Sequence, residues 1–151
     1  MACPFFLPIE KLENGAWLHP HRLPLGCGWS GHCGAPGHEG ESPSQEDLQD
    51  FCNLGYAEAC ARLPQERPWD SVRFTARSVF NHAENGRGQR IQLRYVCERG
   101  HRPAEHGFLE FDIAQDQWVK YHGNASVQKM AECFLAAYFD KRKKEAEPVA
   151  S

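Results

Sequence analysis

Glycine, proline and cysteine are crowded into the first part of this 151-residue chain, and that asymmetry constrains the fold most. Residues 1–66 hold eight of the 13 glycines, seven of the 10 prolines and five of the 7 cysteines. Glycine and proline at this density break regular elements, so the stretch is expected to be largely irregular. An irregular segment buries little apolar area and needs another source of order, which thiolates bound to a metal supply. Residues 67–151 carry regular apolar patterning instead. The expected organisation is a Cys-rich module over 1–66 and a regular half over 67–151 packed on it, in one compact unit. The length suits a single domain of roughly 100–200 residues. The 41% hydrophobic content is ordinary, and such a chain can bury a core without disulfides.

Seven is an odd number, so a complete set of internal disulfides is excluded. The formal charge of −3 argues against a general nucleic-acid binder, and no nucleic acid is expected as a partner. The start, Met1-Ala2-Cys3-Pro4-Phe5-Phe6-Leu7-Pro8, lacks a basic residue, and Pro8 and Glu10 cut its apolar run short of a signal-peptide core. The longest apolar stretch elsewhere, 133–139, is too short to cross a bilayer. A cytoplasmic protein with no membrane association is expected. A reducing compartment favours thiols and metal thiolates over structural disulfides.

The patterning predicts an α+β fold: an irregular Cys-rich N-terminal module with one short helix, then a four-stranded antiparallel meander and a C-terminal amphipathic helix, ββββα. In the first half, Ser42-Pro43-Ser44-Gln45 offers an N-cap serine, proline at N1 and glutamine at N3. Leu48, Phe51 and Cys52 follow on one helical face, Gly55 stops the helix, and 56–61 form a second short turn. In the second half, 72–80 and 90–98 alternate, with Phe74, Ala76 and Phe80 on one face and Ile91, Leu93, Tyr95 and Cys97 on the other strand's matching face. Asn85-Gly86 is a strong hairpin signal. A two-residue loop there sets Glu84 against Arg87, Phe80 against Ile91, Ser78 against Leu93, Ala76 against Tyr95 and Phe74 against Cys97, with both apolar sets on one face. A third strand is predicted over 107–113, a turn at Gln115-Asp116 and a fourth strand over 118–121. A helix over 126–144 carries Val127, Met130, Ala131, Phe134, Leu135 and Tyr138 at helical spacing. Asn124 or Ser126 caps it, and the basic run 141–144 suits its negative end.

The cysteines are widely set. Cys3, Cys33, Cys52 and Cys60 follow one another without any CxxC pair, and Cys27 lies six positions before Cys33. Zinc knuckles usually present close pairs, because two thiolates on a tight turn reach one ion. An iron–sulfur cluster is larger and draws ligands from further apart, so this spacing points towards a cluster.

The stretch Phe51-Cys52-Asn53-Leu54-Gly55-Tyr56-Ala57-Glu58-Ala59-Cys60, with Cys3-Pro4-Phe5 ahead of it and Cys33 between, resembles a four-cysteine module of uncharacterised bacterial proteins. In that module an aromatic-Cys pair precedes a glycine, an aromatic residue and a second cysteine often followed by proline. Here Ala61 stands in the place of that proline. The resemblance covers roughly residues 1–64. It implies four ligands, Cys3, Cys33, Cys52 and Cys60, and a metal or iron–sulfur site, without naming a reaction. Cys27 is the spare, an alternative to Cys3, which lies near the terminus. Losing Cys3 as a ligand would leave Pro4, Phe5 and Phe6 without an anchor, which favours Cys3. Cys97, on a strand's core face, and Cys133, at the edge of the helix's apolar face, read as small buried hydrophobes.

His32 and His38 flank Cys33 and are alternative ligands for a Cys₃His zinc site or hydrogen-bond partners of the ligands, though loop histidines are more often solvated. His19, His21, His101 and His106, the last two in a loop over 99–107, show no ligand spacing. Arg73, Arg77, Arg90 and Arg94 share the outer face of the hairpin, with Arg77 expected opposite Arg94 and Arg73 paired to Glu98. Without stacking aromatics between them they read as a solvated face. There is no GxSxG elbow, P-loop or HExxH, and no catalytic residue is assigned. The expected function is a small iron–sulfur protein, of the four-iron type, acting in electron transfer or redox sensing with an unidentified protein partner. The alternatives are a structural zinc module for protein interaction, and a metal-free domain.

Overall fold

Alternating apolar residues in the second half pair into a four-stranded antiparallel meander, as the pattern predicts. A computed structural model describes residues 2–12, 23–53, 60–81 and 88–146. The meander runs β3 (Ser71–Asn81), β4 (Gly88–Arg99), β5 (Arg102–Asp112) and β6 (Gln117–Lys120), in that order across the sheet. One long helix, α2 (Ala125–Ala146), follows. The architecture is α+β.

The first half is more regular than its composition suggests. β1 (Phe6–Lys11) and β2 (Trp29–Cys33) form a two-stranded antiparallel sheet, with an irregularity between Pro8 and Glu10. Gly31 makes this pairing possible: a Cβ there would lie 2.0 Å from the Leu7 carbonyl oxygen. The short helix α1 (Gln45–Asp47) begins later than expected. Ser44, not Ser42, is its N-cap, accepting the Asp47 N–H at 3.2 Å. It widens at once into a π-helical turn over Leu48–Cys52, closed by Asn53 N–H to the Leu48 carbonyl. The Gly55 stop, the 56–59 part of the second turn, and His19 and His21 lie outside the described residues.

The β3–β4 register differs from the expected one by two positions. Phe74 faces Tyr95, Ala76 faces Leu93, Ser78 faces Ile91 and Val72 faces Cys97. A shift of two preserves the side-chain period of a strand, so the apolar face stays correct while every partner changes. The Asn85-Gly86 turn and the expected Glu84–Arg87 pair lie outside the described residues, and the last described pair is Asn81 with Gly88. In consequence Arg77 lies opposite Gln92 and Arg94 opposite Thr75, which removes the expected like-charge pair. Arg73 reaches Glu98 at 3.7 Å diagonally across the strands.

Nor is the 99–107 stretch a loop. Arg99 pairs with Arg102 across a two-residue turn, Gly100-His101, in which both residues have positive φ (58° and 62°). That is the backbone a tight hairpin needs. Pro103 disguises the strand that follows, and it sits where the β4–β5 register shifts. At the other hairpin Asp116, with φ 52°, serves the expected turn.

Asn124 caps α2 through its side-chain oxygen, which accepts the Val127 N–H at 3.1 Å. The helix packs on β3 and on β1, so its buried face is broader than a single sheet requires. Cys133 and Ala137 are buried beside Val127, Met130 and Ala131. One buried cluster takes Phe6, Leu25 and Trp29 from the first half and Ile91, Leu93 and Leu109 from the second. Each large side chain so buried contributes roughly 1.5–3 kcal/mol. Phe74 meets Phe134 with ring centroids 5.7 Å apart, and Phe111 meets Trp118 at 5.4 Å. The N-terminus is tied in by a two-way bridge, Ala2 N–H to the Val72 carbonyl and Val72 N–H to the Ala2 carbonyl, each 2.8 Å. No described helix is long and apolar enough to cross a membrane.

Candidate functional site

The Ala2–Val72 bridge fixes the backbone just before Cys3, and the next hydrogen bond joins two candidate ligands: Cys3 N–H donates to the Cys52 carbonyl at 3.2 Å. Cys33 ends β2, held by its N–H to Glu41 and by Gly40 N–H to its carbonyl. Cys52 ends the π-helical turn. Cys60 follows after 54–59. These four segments, distant in sequence, converge on one pocket. Its wall contains Cys3, Cys33, Cys52 and Cys60 with Phe5, Phe51, Pro43, Leu63 and Arg62, and its volume is about 20 Å³.

The thiols sense one another. Burial, the main influence, and charge on the neighbouring cysteines together push Cys3 and Cys52 up to about 12. Burial also raises Cys33, against the Ala35 N–H and the Arg62 guanidinium, which lower it. Every pairing among the four cysteines lies within electrostatic reach. Among the described residues, no three His, Cys, Asp or Glu side chains stand close enough to hold one metal ion together.

Backbone donors point at two of the sulfurs. The Phe5 N–H lowers the Cys3 thiol, the Phe6 N–H donates to the Cys3 carbonyl at 3.1 Å, and Ala35 N–H donates to Cys33 Sγ at 3.4 Å. Such donors stabilise a thiolate more than a thiol, because the acceptor is then ionised. They also set the electron affinity of a cluster bound through that sulfur.

Cys27 is not in this wall. It lies near enough to Cys133 for its charge to be felt there, away from the residues that line the pocket. His32 and His38 are also absent from the wall. His32 Nδ1 meets Ser42 Oγ at 3.3 Å, and His38 Nδ1 meets Glu41 Oε2 at 2.5 Å. Both serve the loop rather than the sulfurs. Cys97 is fully buried in the meander and Cys133 is 6% exposed.

Two contributors were not legible from the sequence. Arg62 closes one side of the pocket, its Nε donating to Glu41 at 3.2 Å and its Nη1 to Asp47 at 3.0 Å. It is the cation nearest Cys33 in effect. Asn53, 1% exposed, accepts the Trp29 N–H at 3.0 Å and donates to the Trp29 and Leu48 carbonyls at 2.9 Å each. It thereby bolts the Cys52 turn to the start of β2, four residues before Cys33. The only available signal was an amide residue directly after a candidate ligand.

A larger concavity, about 410 Å³, lies on the outer face of the meander between Arg73, Thr75, Arg94, Val96, His106 and Phe108. It contains no sulfur and belongs to the arginine-bearing face. Compared with known protein families, curated proteins and solved structures, the chain matches none.

Proposed function

We propose that this protein is a small iron–sulfur protein whose Cys3, Cys33, Cys52 and Cys60 hold a [4Fe–4S] cluster for electron transfer or redox sensing. The observation that carries this reading is the convergence of four cysteines from four separate segments on one largely apolar pocket. Buried cysteines that served only as small hydrophobes would have no reason to gather, and their mutual charge effects would oppose ionisation unless a cation shared them. The N–H donors on Cys3 and Cys33 fit thiolates that must stay ionised.

The wide sequence spacing of the cysteines, without a CxxC pair, supports a cluster over a single ion. Four thiolates on zinc, each about 2.3 Å from the metal at tetrahedral angles, lie roughly 3.8 Å from one another. A cubane places each thiolate on its own iron at a separate corner and so accepts sulfurs set further apart. With all four corners taken by cysteine, no iron is open to substrate. Electron exchange with a protein partner is then the activity the site supports, and no catalytic residue is assigned. A thiolate-bound cluster also suits a reducing, cytoplasmic setting.

The small cavity, about 20 Å³, favours a second reading, a structural zinc site on the same four residues. Anaerobic reconstitution separates the two. With ferrous iron and sulfide, the cluster reading requires uptake of both, a brown colour and a paramagnetic signal in one redox state, all lost in Cys52→Ser. Tight binding of one zinc with no uptake of sulfide selects the zinc site. Neither metal binding, with stability unchanged, sinks both readings.

A further inference from the structure

Four cysteines in the pocket and Cys97 alone in the meander leave Cys27 and Cys133. Cys133 lies on the buried face of α2, with its thiol directed to the Pro8 carbonyl at 3.7 Å. Cys27 is half-buried in the turn before β2 and packs against the same core. The turn is pressed onto the helix beside it. Gly26, with φ 82°, approaches α2 so closely that a Cβ would lie 2.6 Å from the Ala137 Cβ. Ala137 is one helical turn from Cys133, on the same side of α2. Charge on Cys27 is felt at Cys133. Next to this contact, a cavity of about 150 Å³ separates Leu23 and Gly26 from Phe134 and Tyr138, giving the turn room to adjust. Disulfide closure requires Cβ atoms roughly 3.5–4.5 Å apart, and the turn that carries Cys27 is already seated on the helix one turn from Cys133.

We propose that Cys27 and Cys133 are a redox-active dithiol that closes to a disulfide by exchange with a low-molecular-weight disulfide such as oxidised glutathione. Cys27, the more accessible, attacks as the thiolate. One sulfur of glutathione is transferred to it and one glutathione thiolate leaves. Cys133 then gives up its proton and attacks the Cys27 sulfur. The Cys27–Cys133 bond forms, and the second glutathione leaves as a thiol. Two protein thiols are oxidised by two electrons, and one disulfide is reduced to two thiols. Burial pushes the Cys133 thiol up to about 11, so the second attack is the slower step. The new bond ties the turn before β2 to α2 and makes the first half's attachment to the helix covalent. The pair shares no residue with the four-cysteine pocket, so the inference stands whether that pocket holds iron, zinc or neither.

The test is oxidation of the whole protein with oxidised glutathione at pH 8 under argon, followed by thiol blocking, digestion without reduction and mass mapping. The expected result is a Cys27–Cys133 cross-linked peptide in most molecules and a loss of two mass units, reversed by dithiothreitol. In Cys133→Ala the reaction should stop at one glutathione on Cys27, and Cys27→Ser should give neither product. Because Cys133 is buried, Cys133→Val is a second variant should alanine unfold the helix. The wild-type map needs no variant at all. The proposal is overturned if Cys27 keeps glutathione in the wild type, if it joins a pocket cysteine, or if it does not react.

Discussion

Asn53 offers the sharpest quantitative test of how the site is assembled. Its side chain makes three hydrogen bonds at 2.9–3.0 Å while only 1% exposed. Replacing it by alanine strands the Trp29 N–H and carbonyl, which face the amide. The Leu48 carbonyl keeps a partner, because it also accepts the Asn53 backbone N–H at 3.0 Å. Two buried backbone groups left unsatisfied cost about 1–3 kcal/mol each, so Asn53→Ala should lose about 3 kcal/mol of unfolding free energy. That is a large part of the roughly 5–15 kcal/mol available to a domain. Asn53→Asp should be no better, since a carboxylate oxygen would then face the Trp29 and Leu48 carbonyls. The assay is urea unfolding of the reduced, metal-free protein, read from the midpoint at constant m. A second readout is metal uptake, which should fall in step because Cys52 loses its tie to β2. A loss below about 0.5 kcal/mol would refute the reasoning, because it would mean water or a shifted backbone meets both groups without cost.

Metal loading should depend on pH with a definite sign. Cys3 and Cys52 have thiols pushed up to about 12, so both are protonated at neutral pH and must release protons to become ligands. Apparent affinity should therefore rise about tenfold per pH unit for each proton released, measured by competition with a chelator between pH 6 and 8. Asp70 acts with the same sign, in a more acidic range. Burial disfavours its charge, but the Gly100 N–H at 2.7 Å and Arg67 at 2.6 Å outweigh that and hold its carboxyl below the usual range. Its ionised form thus stabilises the fold above about pH 4, and that contribution disappears as pH falls through the depressed value. Asp70→Asn should cost about 1–2 kcal/mol at pH 7 in denaturant titrations, with the difference from wild type shrinking on acidification. Gly31→Ala should cost more than about 3 kcal/mol and open the β1–β2 sheet, seen as a lower melting temperature, since its Cβ has no room beside the Leu7 carbonyl.

The parts of this fold that follow a strict period were legible in advance. The α2 pattern places Val127, Met130 and Ala131 correctly, because a long helix repeats its face many times. The meander's faces were equally clear, yet its register was not: a two-residue slip leaves the same residues inside, so burial does not choose between the two pairings. β1 and β2 escaped because their pairing depends on a glycine's missing side chain and tolerates Pro8, features that read locally as breakers. The Gly100-His101 turn escaped because histidine is an uncommon left-handed residue. At the site, the resemblance to a four-cysteine module implied four ligands, and the structure gathers those four cysteines in one pocket whose wall does not include Cys27. Arg62 and Asn53 were missed because their roles arise only from tertiary contacts, with Glu41 and Asp47 in one case and with Trp29 in the other.

The central claim is that the pocket holds an iron–sulfur cluster on Cys3, Cys33, Cys52 and Cys60. Iron and acid-labile sulfide analysis with a visible spectrum, on protein purified without exposure to oxygen, tests it most directly. The account predicts brown protein with about four iron and four sulfide per chain, lost together in Cys52→Ser. Colourless protein without iron would contradict it, whether the pocket then holds zinc or four plain thiols.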